Sequence, residues 1–282
     1  MPPYAFWYIF ATNGEDGFLL DLVRRPEESV ARLAVYHQGS PPRIVRHGFP
    51  PASLSGVPGE LEASLDGVAL DAVGCRSALG NMSLDARFGL TGRTMRFVPA
   101  WVSWWFEEVP DFRSHYGMLE RATCEGIAYG DAPLVFSTYS LGDLAGARWV
   151  LISAPRFDSS DLAFEISAAR LLGRWMPTAW IFFDGREHKL NSGLDSLFRV
   201  RIGSAGGIEA GERVFTASIR APGMHLEVEA RSAVDQFARL EAEGQTEIHT
   251  TLFGTCRASF KSGPSAGRMF TAERTCLMEL KN

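Results

Sequence analysis

The sequence predicts an all-β protein built as two tandem antiparallel β-barrels with few short helices. Short runs of alternating apolar and polar residues are separated almost throughout by turn residues, and Asp-Gly between two such runs favours type I′ hairpins. Helix signals are few, which is typical of a barrel or a sandwich and not of a parallel α/β sheet. The 282 residues are enough for two barrels. A polar break at 158–161 predicts domains at 1–160 and 161–282.

Six hairpins follow from pairs of alternating runs that flank a short turn. The paired runs are 6–11 with 18–23, 61–65 with 68–73, 86–90 with 94–98, 179–183 with 186–190, 214–220 with 225–230, and 255–261 with 268–280. Two helices are also predicted. The segment 26–35 begins with Pro26 and two acids, and 232–243 has apolar residues at helical spacing, although it is equally readable as a strand.

Composition narrows the classes of function. Lys and Arg occupy 28 positions against 33 acids, the formal net charge is −5, and there is no long basic run. These features argue against a nucleic-acid partner. No apolar run reaches the roughly 18 residues that span a bilayer, so an integral membrane segment is not predicted. The first ten residues lack a basic region typical of a signal peptide, which predicts a cytoplasmic protein.

Metal and cofactor motifs are missing from the sequence. The four cysteines form no CxxC pair, so buried free thiols are predicted, with a Cys256–Cys276 disulfide as the alternative. The histidines show no HxH or HExxH spacing, which predicts no metal site. Phosphate-binding glycine loops are missing, which predicts no nucleotide cofactor. The segment 263–267 matches GxSxG, but a strand-like run follows it where a hydrolase needs a helix, so a hairpin loop is predicted.

The segment 101–108 concentrates three of the seven tryptophans beside two acids. Read as a strand, it is apolar on both faces, so it lies either inside a core or with one face toward a ligand cavity. The predicted ligand-binding residues here are Trp101, Trp104, Trp105 and Phe106.

His115, Tyr116 and Glu120 follow the aromatic segment and are the predicted catalytic residues. Histidine titrates near neutral pH and suits proton transfer. If the chain is extended here, His115 and Tyr116 point to opposite faces unless a bulge intervenes. The competing interpretation is a surface or capping histidine. Tyr139, Arg156 and Trp175 are weaker ligand-binding candidates, because an Arg near an aromatic ring at a barrel mouth can hold an anionic head group.

The order of hairpins, the Trp-rich strand before Tyr116-Gly117, and the closing segment 268–281 (RMFTAERTCLMELK) resemble the double-lipocalin proteins grouped with carotenoid 1,2-hydratases and AttH-like proteins. The resemblance implies two lipocalin-like barrels with a largely apolar interior. It also implies activity on lipid- or terpenoid-like substrates in the members that are enzymes. Hydratase-like members carry Asp-His followed by Trp-Gly, whereas this chain has Ser114-His115-Tyr116-Gly117.

Three functions remain open from the sequence. The first is a protein that holds a hydrophobic small molecule in an apolar barrel and catalyses cofactor-independent acid–base chemistry, such as hydration, isomerisation or cyclisation. The second is a non-catalytic carrier or sensor with the same cavity. The third is a structural, partner-binding β protein whose aromatic residues form ordinary core.

Overall fold

The computed structural model describes residues 4–57, 59–96, 111–141, 148–157, 161–171, 174–190, 199–241 and 247–281. Contacts between Cα atoms divide the chain into two compact units, residues 1–37 with 42–144 and residues 38–41 with 145–282. The described residues contain no helix of seven residues or more. Short 3₁₀ turns occur at Pro51–Ser53 and Val234–Gln236. The all-β prediction is therefore confirmed.

The first unit contains a curled, 12-stranded antiparallel sheet. Its strands are β1 (Tyr4–Thr12), β2 (Asp16–Arg24), β3 (Ser29–His37), β4 (Arg43–Phe49), β5 (Ser55–Gly56), β6 (Ala63–Leu65), β7 (Val68–Leu70), β8 (Gly74–Leu79), β9 (Met82–Arg96), β10 (Asp111–Cys124), β11 (Ile127–Tyr129) and β12 (Ala132–Leu141). Their order is β4-β3-β2-β1-β12-β10-β9-β8-β7-β6-β5, and β11 pairs with β10. Consecutive strands are neighbours except at β12, which lies between β1 and β10 and so joins the two ends of this stretch of chain.

The second unit contains a curled, 10-stranded antiparallel sheet. Its strands are β13 (Arg148–Ala154), β14 (Ala163–Leu171), β15 (Arg174–Phe183), β16 (Arg186–Leu190), β17 (Val200–Glu209), β18 (Glu212–Ala221), β19 (Met224–Ala233), β20 (Ala238–Glu241), β21 (Glu247–Ser262) and β22 (Met269–Lys281). Their order is β16-β15-β14-β13-β22-β21-β19-β18-β17, and β20 pairs with β21. The closing strand β22 lies between β13 and β21, which repeats the arrangement of β12 in the first sheet.

Each sheet encloses its own apolar core on one face. In β1 the core residues alternate as Ala5, Trp7, Ile9 and Ala11, all at most 1% exposed. The second core is built in the same way, with Ile166 of β14 among its fully buried members. Alternation works because successive side chains of a strand point to opposite faces.

Five of the six predicted hairpins are confirmed by the strand pairings. The turn at Asp184-Gly185 has φ of 50° and 71°. Positive φ at both central residues is what a type I′ turn requires. The segment 263–267 forms a turn between β21 and β22, as predicted, so its serine has no helix behind it.

The hairpin predicted at 86–98 is wrong. Strand β9 runs without a break from Met82 to Arg96. Gly92, at φ 75°, lies in a bulge and not in a reversal of the chain. The Thr91 hydroxyl donates to the Tyr116 carbonyl at 2.9 Å and ties this bulge to β10.

The helix predicted at 26–35 is also wrong, since Ser29–His37 forms β3. Val30 and Val35 are buried and β3 pairs on both edges, with β2 and β4. The sheet therefore overrides the weak helix-start signal at Pro26. The segment 232–243 contains a 3₁₀ turn and β20, so the strand alternative applies to its second part.

The strand pairings of β13 bear on the predicted domain boundary. A boundary between 160 and 161 would assign β13 to the first domain, whereas β13 pairs with β14 and β22 of the second sheet.

All four cysteines are free and buried, as predicted. Burial raises the pKa of the Cys75 thiol, which keeps it protonated and unreactive.

Candidate functional site

The pairing register places His115 inside the first barrel. Across β1, β12, β10 and β9 the partners run Ile9, Phe136, His115 and Thr94. Residues directly opposite each other in antiparallel strands point to the same face. Ile9 and Phe136 belong to the first core, so the His115 side chain points toward that core and not toward the surface.

The His115 ring is half-buried and held from one side. Its Nδ1 atom lies 3.0 Å from Thr94 Oγ1. Its Nε2 atom is buried and has no hydrogen-bond partner among the described residues. Burial, followed by the positive charge of Arg113, lowers the pKa of His115 below its usual 6.5, so the neutral imidazole dominates at pH 7. With the proton on Nδ1, Nε2 presents a lone pair to the interior; with the proton on Nε2, it presents a donor.

A second row of side chains lies two residues further along the strands, toward the end of the sheet where β9 ends and β10 begins. Its members are Trp7, Thr138, Arg113 and Arg96. Trp7 is fully buried. The Thr138 hydroxyl is buried and lacks a hydrogen-bond partner among the described residues. An unpaired buried hydroxyl costs free energy, so it is a position where a ligand atom would be stabilised.

The chain between β5 and β6 holds this second row in place. Trp7 Nε1 donates to the Glu60 carbonyl at 3.0 Å. Arg113 Nη1 donates to the Gly59 carbonyl at 3.4 Å. Gly59 has a φ of 93°, and a Cβ atom there would lie 3.1 Å from Arg113 Cζ. Glycine is therefore favoured by the backbone conformation, and the guanidinium packs closely against it.

Arg24, the last residue of β2, completes the group. It pairs with Ala5, a residue of the first core, and therefore points to the inner face. Its Cζ atom lies 5.9 Å from the centre of the Trp7 ring, within the range of a cation–π contact. We call Trp7, Arg24, Arg113, His115 and Thr138 the first-barrel site. It combines an apolar ring surface, positive charge and one group that can exchange a proton near neutral pH.

The bulge in β9 explains why the chain has this shape beside His115. His115 pairs with Thr94, whereas Gly117 pairs with Leu90, so β9 carries extra residues at this point. Gly117 lies so close to β9 that a Cβ atom would be 2.6 Å from the Gly89 carbonyl oxygen. Bulges commonly redirect a side chain next to functional sites.

The predicted catalytic residues do not converge. Tyr116 is buried on the face opposite His115, as alternation predicts. Glu120 is exposed and follows the inward-facing Leu119. His115 is thus the only one of the three that belongs to the first-barrel site. Trp101, Trp104, Trp105 and Phe106 lie outside the described residues; Arg96 and Asp111, which flank their segment, both lie at this end of the sheet.

The weaker ligand-binding candidates lie elsewhere. Tyr139 is on the outer face of the first sheet, stacked on Phe6 with ring centres 4.3 Å apart. Arg156 is exposed after β13. Trp175 is half-buried against the second core and lines a cleft of about 500 Å³ in the second unit, together with Pro177 and Arg201.

Sequence reasoning missed four of the five residues of the first-barrel site. Alternation along β1 places Trp7 on the core face, but nothing local shows that Thr138 lies beside it. Arg24 and Arg113 each look like ordinary polar residues at a strand end. Their grouping depends on the β1–β12 and β10–β12 pairings, which join distant parts of the chain.

A Ser-His-Glu group on the outer face of the second sheet does not form a catalytic triad. Ser218 Oγ lies 3.0 Å and Glu227 Oε1 lies 2.8 Å from the same atom, His225 Nε2. A triad needs the serine and the acid on different ring nitrogens, so that one orients the imidazole while the other loses its proton. No group of three His, Cys, Asp or Glu suited to a metal occurs in the described parts of the chain. No described helix is long and apolar enough to cross a membrane.

The fold and the site define a lipocalin-like double barrel with a polar and aromatic site inside its first barrel. Known structures share this fold. The AttH candidate of Nitrosomonas europaea matches with 14% identity and a TM-score of 0.51, covering 99% of this chain and 92% of the other. Kievitone hydratase from Nectria haematococca matches with 10% identity and a TM-score of 0.57, covering 99% and 88%.

A structure of CghA with Sch210972 also matches, with 8% identity and a TM-score of 0.53, covering 99% of this chain and 88% of the other. No family model and no curated protein sequence matches this chain. The likeness at this level of identity is one of fold, and the predicted resemblance to the AttH-like double barrel is confirmed at that level.

Proposed function

We propose that the first barrel binds a hydrophobic small molecule, of lipid or terpenoid type, and that His115 catalyses cofactor-independent proton transfer on it. The observation that carries this proposal is the inward-facing His115 whose Nε2 atom is buried without a partner among the described residues. A protein that needed His115 only for packing would leave this nitrogen's hydrogen-bonding capacity unused at a cost in stability.

The surroundings of His115 support an acid–base role. Its inner-face neighbour Phe136 is apolar, and Thr94 holds the opposite ring nitrogen. The lowered pKa keeps the imidazole neutral at pH 7, so Nε2 is able to accept a proton from a ligand C–H or O–H group. The resulting imidazolium returns the proton to another atom of the same molecule. This sequence of steps serves isomerisation or cyclisation, and with a water molecule it serves hydration.

The fold comparisons support the class of ligand. Two of the structures with this fold are a hydratase named for kievitone and CghA with Sch210972, so the same double barrel accommodates organic small molecules in other proteins. The alternative function is a carrier or sensor that binds the same ligand without chemistry. The two differ only in whether His115 moves a proton.

The experiment begins with purified full-length protein prepared without detergent. Organic extraction and mass spectrometry should reveal a bound apolar compound, and incubation of that compound with fresh protein should convert it into an isomer or hydrate. His115→Gln should retain the compound unchanged, while His249→Gln, a matched change in the second barrel, should convert it normally. Retention without conversion by wild type would favour the carrier. If wild-type protein bound neither an extracted compound nor a neutral apolar fluorophore, the proposal would be overturned.

A further inference from the structure

Arg24 is the feature of the first-barrel site that proton transfer does not explain. Its Nε and Nη2 atoms are buried and lack hydrogen-bond partners among the described residues. The guanidinium is always charged at physiological pH and has five N–H donors in a fixed fork. A partly buried guanidinium with open donors is costly unless an acceptor reaches it.

Two of the acids near Arg24 in sequence pair with other cations. Asp21 accepts from Arg32 Nε at 2.9 Å, and it pairs with Tyr8 on the face opposite the first core. Glu28 contacts Arg25 at 3.4 Å and also pairs with Arg46. Asp21 and Glu28 therefore each have a cation other than Arg24, and Glu27 in the β2–β3 turn is exposed.

The Arg24 side of the site is positively charged and aromatic. Arg24 lies over the ring of Trp7, and Arg113 lies on the same inner face one row deeper. An anion that reaches Arg24 thus meets a guanidinium group with a flat apolar ring beside it, and Arg113 adds positive charge to the same inner face. Arginine forks match carboxylate oxygens in two-point contacts, which makes them the usual recognition group for such anions.

We infer that the ligand of the first barrel carries a carboxylate-type organic anion, held by the Arg24 guanidinium, and an apolar body that extends past Trp7 toward His115. This inference deepens the proposed function and rests on it. Arg24 and His115 are two register rows apart, and two strand residues rise about 7 Å, so their backbone positions are separated by about 14 Å along the strands. The ligand is therefore elongated, with the charge at one end and the reacting group further in.

Two fluorescent probes with almost the same rings test this inference. 8-Anilino-1-naphthalenesulfonate carries one negative charge, and N-phenyl-1-naphthylamine carries none. Wild-type protein should bind both, and added NaCl should weaken only the anionic probe. Arg24→Gln should weaken the anionic probe by about 10- to 100-fold, the range for a lost charged hydrogen bond, and leave the neutral probe within about 2-fold.

The control and a second variant keep the outcome clear. Arg76→Gln removes one positive charge from the same unit at a side chain that is 75% exposed, and it should change neither affinity. Arg24→Lys preserves the charge but not the fork, so the loss for the anionic probe should be smaller than with Gln. Circular dichroism checks that each variant is folded, and Arg24→Lys decides the question if Arg24→Gln is not.

Each result distinguishes this inference from the proposed function. Equal weakening of both probes by Arg24→Gln, or an unchanged anionic affinity, would overturn the anion inference while leaving apolar binding in place. If wild type bound neither the neutral probe nor an extracted apolar compound, the proposed function would be overturned instead. A selective loss of the anionic probe, graded from Lys to Gln, is the result we expect.

Discussion

The two barrels carry similar groups at one end of each core but complete them differently. In the second barrel, Arg213 lies with its Cζ atom 5.5 Å from the centre of the Phe237 ring, much as Arg24 lies over Trp7 in the first. His249 pairs in register with Leu280, a member of the second core. We call Arg213, Phe237, His249 and Glu247 the second-barrel group.

The first-barrel site and the second-barrel group differ in the partners of their buried polar atoms. His249 Nε2 has the Glu247 carboxylate 3.4 Å away, and Arg213 Nη1 donates to the Gly206 carbonyl at 3.3 Å. His115 Nε2 has no such partner within the described residues. The arginines do not differ in this way, since Arg213 Nε is also buried without a hydrogen-bond partner among the described residues. The two barrels therefore differ at the histidine, whose Nε2 atom has an acid beside it in the second barrel and no partner among the described residues in the first. A histidine and an arginine near a core therefore do not by themselves indicate a site. The buried Nε2 atom of His115, which lacks a partner among the described residues, is what distinguishes the first barrel.

The largest expected effect concerns turnover of the extracted compound. His115→Gln keeps a hydrogen-bonding side chain but removes the group that gains and loses a proton, so turnover should fall by about 10² to 10⁴-fold with little change in ligand affinity. His249→Gln should leave turnover within about 2-fold. Single-turnover kinetics of both variants make the test, and full activity in His115→Gln would remove His115 from the mechanism.

The next effect concerns stability. Trp7 is fully buried in the first core, whereas Trp175 packs against the second core while remaining partly exposed. Trp7→Ala should cost about 3 to 5 kcal/mol of unfolding free energy, and Trp175→Ala about 1 to 2 kcal/mol, because less apolar surface is lost from the interior. Urea unfolding followed by far-UV circular dichroism measures both. Equal costs would show that Trp175 is as well packed as Trp7.

Sequence reasoning reached the fold but only one residue of the site, and particular residues show why. Alternation and Asp-Gly turns are local, so hairpins such as the one at Asp184-Gly185 are readable directly. The sequence around Gly92 predicts a turn where the chain forms a bulge, because glycine with positive φ serves both structures. Trp7 and Thr138 meet only through pairing of β1 with β12, and that register is not encoded in either strand alone.

A third prediction uses a matched pair of glycines, one beside each histidine-bearing strand pair. A Cβ atom at Gly117 would lie 2.6 Å from the Gly89 carbonyl oxygen, and one at Gly254 would lie 2.7 Å from the Cys276 carbonyl oxygen. Alanine at either position should force the strands apart and cost about 1 to 3 kcal/mol. Only Gly117→Ala should also weaken the neutral fluorophore, because it shifts β10 next to His115. The same loss of probe binding in Gly254→Ala would indicate a general loosening and not a local site.

The smallest effect is on titration, and it separates the two histidines most directly. Burial is the main cause that lowers the pKa of both His115 and His249 below 6.5; Arg113 adds to it at His115 and Arg213 at His249, while Glu247 opposes it at His249. Glu247→Gln should therefore lower the pKa of His249 further and leave that of His115 unchanged. Imidazole resonances in NMR spectra, assigned with the two His→Gln variants, measure both values.

The same shifts give the sign of the stability change. A histidine kept neutral by the fold contributes stability that is fully present above its unfolded pKa of about 6.5 and is lost as the pH falls through its lowered folded pKa. His115→Gln should therefore lose less stability between pH 7.5 and 5 than wild type does. An equal pH dependence in the two proteins would mean that His115 titrates normally, and the first barrel would then differ from the second in hydrogen bonding alone.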